Sequence, residues 1–193
     1  SAGSANFDSL VNMTIGNEGA GTLTLEDGAK SEVAGTTYVG IGATGSGTLS
    51  LTNGSSFSAN TLHLGYDGGI GMVTINDSNV DIAGDTIING GSLASTVSSV
   101  TLSNGASWTN TGGRVTVGNG ADGKLTIESG STLTSGLGVI GQGAASNGLV
   151  DVDGQNSTWT ITDTLFVGTT GNGTLSITNE GKVTSANTVI GRQ

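Results

Sequence analysis

The sequence predicts an all-β fold, a right-handed parallel β-helix (β-solenoid) with about 25 residues and three short strands per coil, and about eight coils. Three observations predict it. One motif returns at a nearly fixed interval, the apolar residues inside each copy alternate with period two, and an Asp, Asn or Ser marks the same corner in most copies.

The repeat is plain once copies are aligned. Ile15-Gly16, followed by Gly21-Thr22-Leu23-Thr24-Leu25, returns as Val39-Gly40 with Gly47-Thr48-Leu49-Ser50-Leu51. It returns again as Leu64-Gly65 with Gly71-Met72-Val73-Thr74-Ile75, and later as Val117-Gly118 with Lys124-Leu125-Thr126-Ile127. The second apolar residue of the pair falls at Leu25, Leu51, Ile75, Leu102, Ile127, Val152 and Ile177, at intervals of 26, 24, 27, 25, 25 and 25 residues. An eighth copy opens at Val189-Ile190-Gly191.

Each coil divides into three strands. The first ends at the apolar residue before Gly, as in Leu62 and Leu64, and the second carries the alternating pair, as in Leu23 and Leu25. A turn residue follows at Asp27, Asn53, Asp77, Asn104, Ser129 and Asn179. Asx side chains tolerate positive φ and bond their own backbone, as a sharp corner requires. The third strand carries one large inward residue: Val33, Phe57, Val80, Trp108, Leu133, Trp159 or Val183. One such unit cannot bury its apolar side, so identical units must stack, each rising about 4.8 Å, to give a rod roughly 35–40 Å long.

Residues 1–193 read as a single β-solenoid, with no composition shift or polar linker to divide them. A β-sandwich would not repeat the same apolar order at a fixed period. Nonapeptide calcium solenoids are answered by Asp67-Gly68-Gly69 and Ala121-Asp122-Gly123 only once per coil, so calcium is not expected. Two irregularities predict surface insertions: Gly90-Gly91-Ser92-Leu93-Ala94-Ser95-Thr96, and the expanded corner Asn110-Thr111-Gly112-Gly113-Arg114.

Composition narrows the functional classes. The 193 residues include 36 Gly but no Pro and no Cys, and 34% are hydrophobic, so the chain can bury a core. The formal charge is −10, and the five bases (Lys30, Arg114, Lys124, Lys182, Arg192) are scattered along the sequence. Nucleic acid and acidic membranes are poor partners for such a surface. No stretch approaches the ~18 apolar residues of a membrane helix, and no signal peptide begins at Ser1, so the expectation is a mature protein or an excised fragment.

The search for chemistry finds no enzyme. Glycoside hydrolysis needs two carboxylates facing one cleft. Asp151 and Asp153 alternate with Val150 and Val152 and should point outward into water, and Asp81 and Asp85 flank a corner elsewhere. No base is expected beside either pair, which argues against acidic sugars as substrates. His63, the one histidine, lies between Leu62 and Leu64 and should face outward, without companions for a metal site. No cofactor is expected.

Two outward columns remain. Thr24, Ser50, Thr74, Thr101, Thr126, Asp151 and Ser176 form a ladder suited to cross-strand bonding. A flat Thr face also suits ice binding, but the neighbouring column breaks at Met72, Lys124 and Leu149. The second column flanks the first strand: Tyr38, His63, Ile87, Thr116, Val139, Phe166 and Val189. Two readings stand for it. Either an apolar stripe is exposed as a contact surface, with Tyr38, His63, Ile87, Val139, Phe166 and Val189 as binding residues, or a loop covers it or the facing is reversed.

The run Val167-Gly168-Thr169-Thr170-Gly171-Asn172-Gly173-Thr174-Leu175-Ser176-Ile177, continuing to Gly181-Lys182-Val183, resembles the passenger repeats of Gram-negative type V autotransporter adhesins. So does Ile140-Gly141 with Gly148-Leu149-Val150-Asp151-Val152 and Ser157-Thr158-Trp159, and the similarity runs from Met13 onward. The resemblance implies a β-helix displayed at the cell surface, exported across the outer membrane through a C-terminal barrel, with roles in adhesion, aggregation or biofilm formation. Its partners would be a host-cell or matrix surface, or the same protein on neighbouring cells. The alternatives are an inert stalk for a distal domain, a polysaccharide-acting β-helix enzyme and an ice-binding solenoid.

Overall fold

Alternation in the Leu-x-Leu segments builds the more regular of two sheets. In the computed structural model, described for residues 6–9, 11–89, 91 and 97–192, it holds Ala20–Leu25, Ser46–Leu51, Ile70–Asn76, Val97–Ser103, Asp122–Glu128, Asn147–Asp153 and Asn172–Thr178. Each pairs in parallel with its copy in the next coil, without a register shift. The described chain is an all-β solenoid of about seven turns, seven strands deep on this side. Val189 and Ile190 close the last long strand, Lys182–Ile190, and no described strand follows it.

The other sheet joins what the sequence divides. The third strand of a coil runs on into the first strand of the next copy, giving Lys30–Ile41, Ser56–Tyr66, Ser107–Val117, Thr132–Ile140, Thr158–Val167 and Lys182–Ile190. In two coils the two halves stay separate, as Asn6–Ser9 and Met13–Asn17, and as Asn79–Ile82 and Thr86–Ile88. The long strands bend at register shifts, between Val33 and Thr36, Asn110 and Arg114, Ser135 and Gly138, and Ile161 and Thr164. A bulge turns the strand and leaves the ladder hydrogen-bonded on both sides of it.

The corners are as the turn residues predict. Asp27, Asn53, Asp77, Asn104, Ser129 and Asn179 all have positive φ, between 45° and 55°. Their side chains bond across coils: Asn53 Nδ2 donates to Asp27 Oδ1 at 3.0 Å, and Asn179 Nδ2 to Asp153 Oδ1 at 2.6 Å. Gly40, at the Val-Gly corner, has φ +73°, and a Cβ built there would lie 1.9 Å from the Ile70 carbonyl oxygen, so only glycine fits.

Inside, the ladders are apolar. Leu49, Val73, Val100, Leu125 and Val150 stack in register, as do Val39, Leu64, Ile88, Val117 and Ile140, and all are buried. Each such side chain contributes roughly 1.5–3 kcal/mol.

The large-residue column is corrected at one member. Phe57, Val80, Trp108, Leu133, Trp159 and Val183 are in register, but Ser31, not Val33, aligns with Phe57. Val33 sits one inward position further along, beside Ala59. The two positions trade volume: small Ser31 goes with Val33, and large Phe57 with Ala59. Trp159 makes a similar trade with Gly138, whose added Cβ would lie 3.0 Å from Trp159 Cζ2.

The expected loop at Asn110–Arg114 is also corrected. These residues lie within the strand Ser107–Val117. Asn110 is buried, donates to Gly84 O at 2.7 Å and accepts from the Thr86 hydroxyl at 2.7 Å. The extra residues are absorbed as a bulge because Asn110 satisfies the backbone at the bend. Of the other expected insertion, residues 90 and 92–96 lie outside the described residues.

Candidate functional site

The bulged sheet presents the more varied outer face. Its central outward column is Thr14, Tyr38, His63, Ile87, Thr116, Val139, Phe166 and Val189, every neighbouring pair in register. Tyr38, His63, Ile87, Phe166 and Val189 are half-buried, while Leu62 and Leu64 beside His63 are buried, so the column faces outward. It is not one open stripe. Thr116 is buried and Val139 is 5% exposed, which splits the face into two patches.

The first patch is aromatic. Tyr38, His63 and Tyr66 form a triangle with ring centroids 5.5 to 5.8 Å apart, Tyr38 meeting His63 edge to face. Ile41 pairs in register with Tyr66, and Ile87 follows His63 one coil on. Burial among these rings holds the His63 imidazole below its usual range, and the Asp85 carboxylate opposes that in part. Sequence reading missed Tyr66, which ends the strand Ser56–Tyr66 one residue past the positive-φ Gly65, where the period-two alternation no longer holds.

The second patch is a groove of about 400 Å³, floored by Leu137, Val139 and Phe166 and walled by Arg114 and Arg192. Arg192 Cζ lies 5.6 Å from the centre of the Phe166 ring, a cation–π contact. The bulge at Asn110–Arg114 delivers Arg114, and Asp85 holds it: Oδ1 accepts the Arg114 backbone N–H at 3.0 Å and Oδ2 lies 3.2 Å from Nε. Along the rim, the Thr170 hydroxyl donates to the Gln142 carbonyl, and the Thr169 hydroxyl to the Gly141 carbonyl at 3.1 Å.

These ion pairs correct one expectation. Bases do sit beside the outward carboxylates: Arg114 beside Asp85, and Lys124 with its Nζ 3.4 Å from Asp151. They are far apart in sequence but adjacent across coils, which a linear reading does not show.

The carboxylates otherwise face water. Asp151 and Asp153 lie half-exposed on the regular sheet, and hydrogen bonds from Thr178 and Asn179 lower the Asp153 pKa. Glu32 and Asp81, not singled out from the sequence as a pair, line a shallow polar groove with Ser58 between them. Both are exposed, whereas a general acid needs a carboxyl withdrawn from water. Among the described residues no three of His, Cys, Asp and Glu gather as a metal site. No helix of the described chain is long and apolar enough to cross a membrane.

No family model, curated protein or solved structure matches the chain.

Proposed function

We propose that this chain is an adhesive segment of an extracellular rod, exported to the surface of a Gram-negative cell, which makes lateral contacts with a host-cell or matrix surface or with its own copies. The observation that carries the reading is the pair of patches on the in-register column, Tyr38, His63 and Ile87 on one side of the closed stretch and Phe166 and Val189 on the other, where aromatic and apolar side chains stand half-exposed. Aromatic and arginine side chains are the usual anchors of protein contacts. The repeat resemblance supports the same reading.

The test is clumping and surface adhesion of cells displaying the chain, with Tyr38→Asp and Ile87→Asp as probes. Both residues are half-buried at the surface, so display levels should hold while a contact surface is lost. Clumping that falls to background supports adhesion. Unchanged clumping in both variants assigns the segment to a stalk, the second reading, which the closed stretch at Thr116 and Val139 favours.

A further inference from the structure

A chain of net charge −10 with five bases places two of them, Arg114 and Arg192, on the walls of one groove, and no Asp or Glu is among its lining residues. Its volume of about 400 Å³ lies in the range of small-molecule sites. From this geometry we infer that the groove binds a carboxylate-bearing sugar, with the acid on the guanidinium groups and the ring's C–H face on Leu137, Val139 and Phe166. The inference rests on reading this lateral face as a contact surface and names its ligand class.

Three features favour a sugar acid over a simple anion. Guanidinium groups match carboxylates in shape and charge, and Asp85 holds Arg114 at the groove by accepting its backbone N–H and lying 3.2 Å from its Nε. The apolar floor suits a ring and not a bare phosphate. The rim supplies acceptors: Thr169 and Thr170 commit their hydroxyl hydrogens to backbone carbonyls, which leaves oxygen lone pairs toward a ligand's hydroxyls.

The experiment is calorimetric titration of the chain with 3′-sialyllactose and trigalacturonate, beside lactose and fully methyl-esterified trigalacturonate as neutral counterparts. The two acidic sugars distinguish a cell-surface glycan from a linear matrix-type acid as the source. At least one acid should bind about tenfold or more tightly than its neutral counterpart, and Arg114→Gln and Arg192→Gln should each remove that preference. Arg192 is exposed, so its variant keeps the test valid should Arg114→Gln misfold. Equal binding of acidic and neutral sugars, no binding of either acid, or a preference that survives the Arg192 variant overturns the assignment. Clumping that persists without acid binding defeats the groove and spares the adhesive reading. Acid binding with clumping intact in Tyr38→Asp and Ile87→Asp does the reverse.

Discussion

The two sheets of this solenoid share an interior and differ outside. The regular sheet repeats without a register shift and shows water mostly Thr, Ser and Asx, from Thr24 to Ser176. The bulged sheet bends in nearly every coil and shows water Tyr38, His63, Phe166 and two arginines. In its central column nearly every outward side chain packs beside a near-copy of itself, and only the column next to it breaks, at Met72, Lys124 and Leu149. A bulge frees its neighbours from that rule. Arg114 reaches its groove because the extra residues before it are absorbed at a bend.

The largest effects should come from the shared interior. Trp159→Ala should cost about 3–5 kcal/mol and Leu125→Ala about 2–5, while outward Thr126→Ala should stay within about 0.5, all read from urea unfolding. Trp159 and Leu125 are both 0% exposed, one behind each sheet. A Thr126→Ala cost equal to that of Leu125→Ala would break the assignment of inward and outward faces.

Next come the corners. Gly40→Ala should cost roughly 2–5 kcal/mol, combining left-handed strain with collision against the next coil. Gly28, with φ +78°, has nothing within 4 Å of an added Cβ. Gly28→Ala should therefore cost only the strain, about 1–2 kcal/mol. Equal melting temperatures for the two variants would show that coil contact does not matter at the Val-Gly corner.

The smallest effect belongs to the aromatic patch. Burial depresses the folded pKa of His63 below the ordinary imidazole range, so the unfolded chain takes up the proton first as pH falls. The stability contribution is complete above the unfolded pKa and declines as pH drops from there toward the folded value. His63→Gln should flatten the change in urea midpoint over that interval. An unaltered slope would show that the rings do not withdraw His63 from water.

Much of this was legible in the sequence. Period-two alternation gave the strands, the Asx and Ser corners gave the positive-φ turns, and both outward columns are in register as the spacing implies. Besides Tyr66, three things were not. Ser31 occupies an inward place usually held by large residues, so Val33 drew the alignment one position away. The expanded corner at Asn110 looks like a loop until its side chain is seen closing the backbone of the preceding coil. The ion pairs of Arg114 and Lys124 join neighbouring coils, and linear scatter hid them.

The size matching behind the bulged sheet has a consequence for how the chain finds its fold. A column of interchangeable Leu and Val could slip by a whole coil with little penalty, skipping a unit or swapping one with another molecule. Trp159 against Gly138, and Phe57 in register with Ser31, oppose such a slip, because an offset stack would drive bulky groups together or leave a hole. These unequal pairs favour one order of coils over its offsets in an otherwise monotonous sequence.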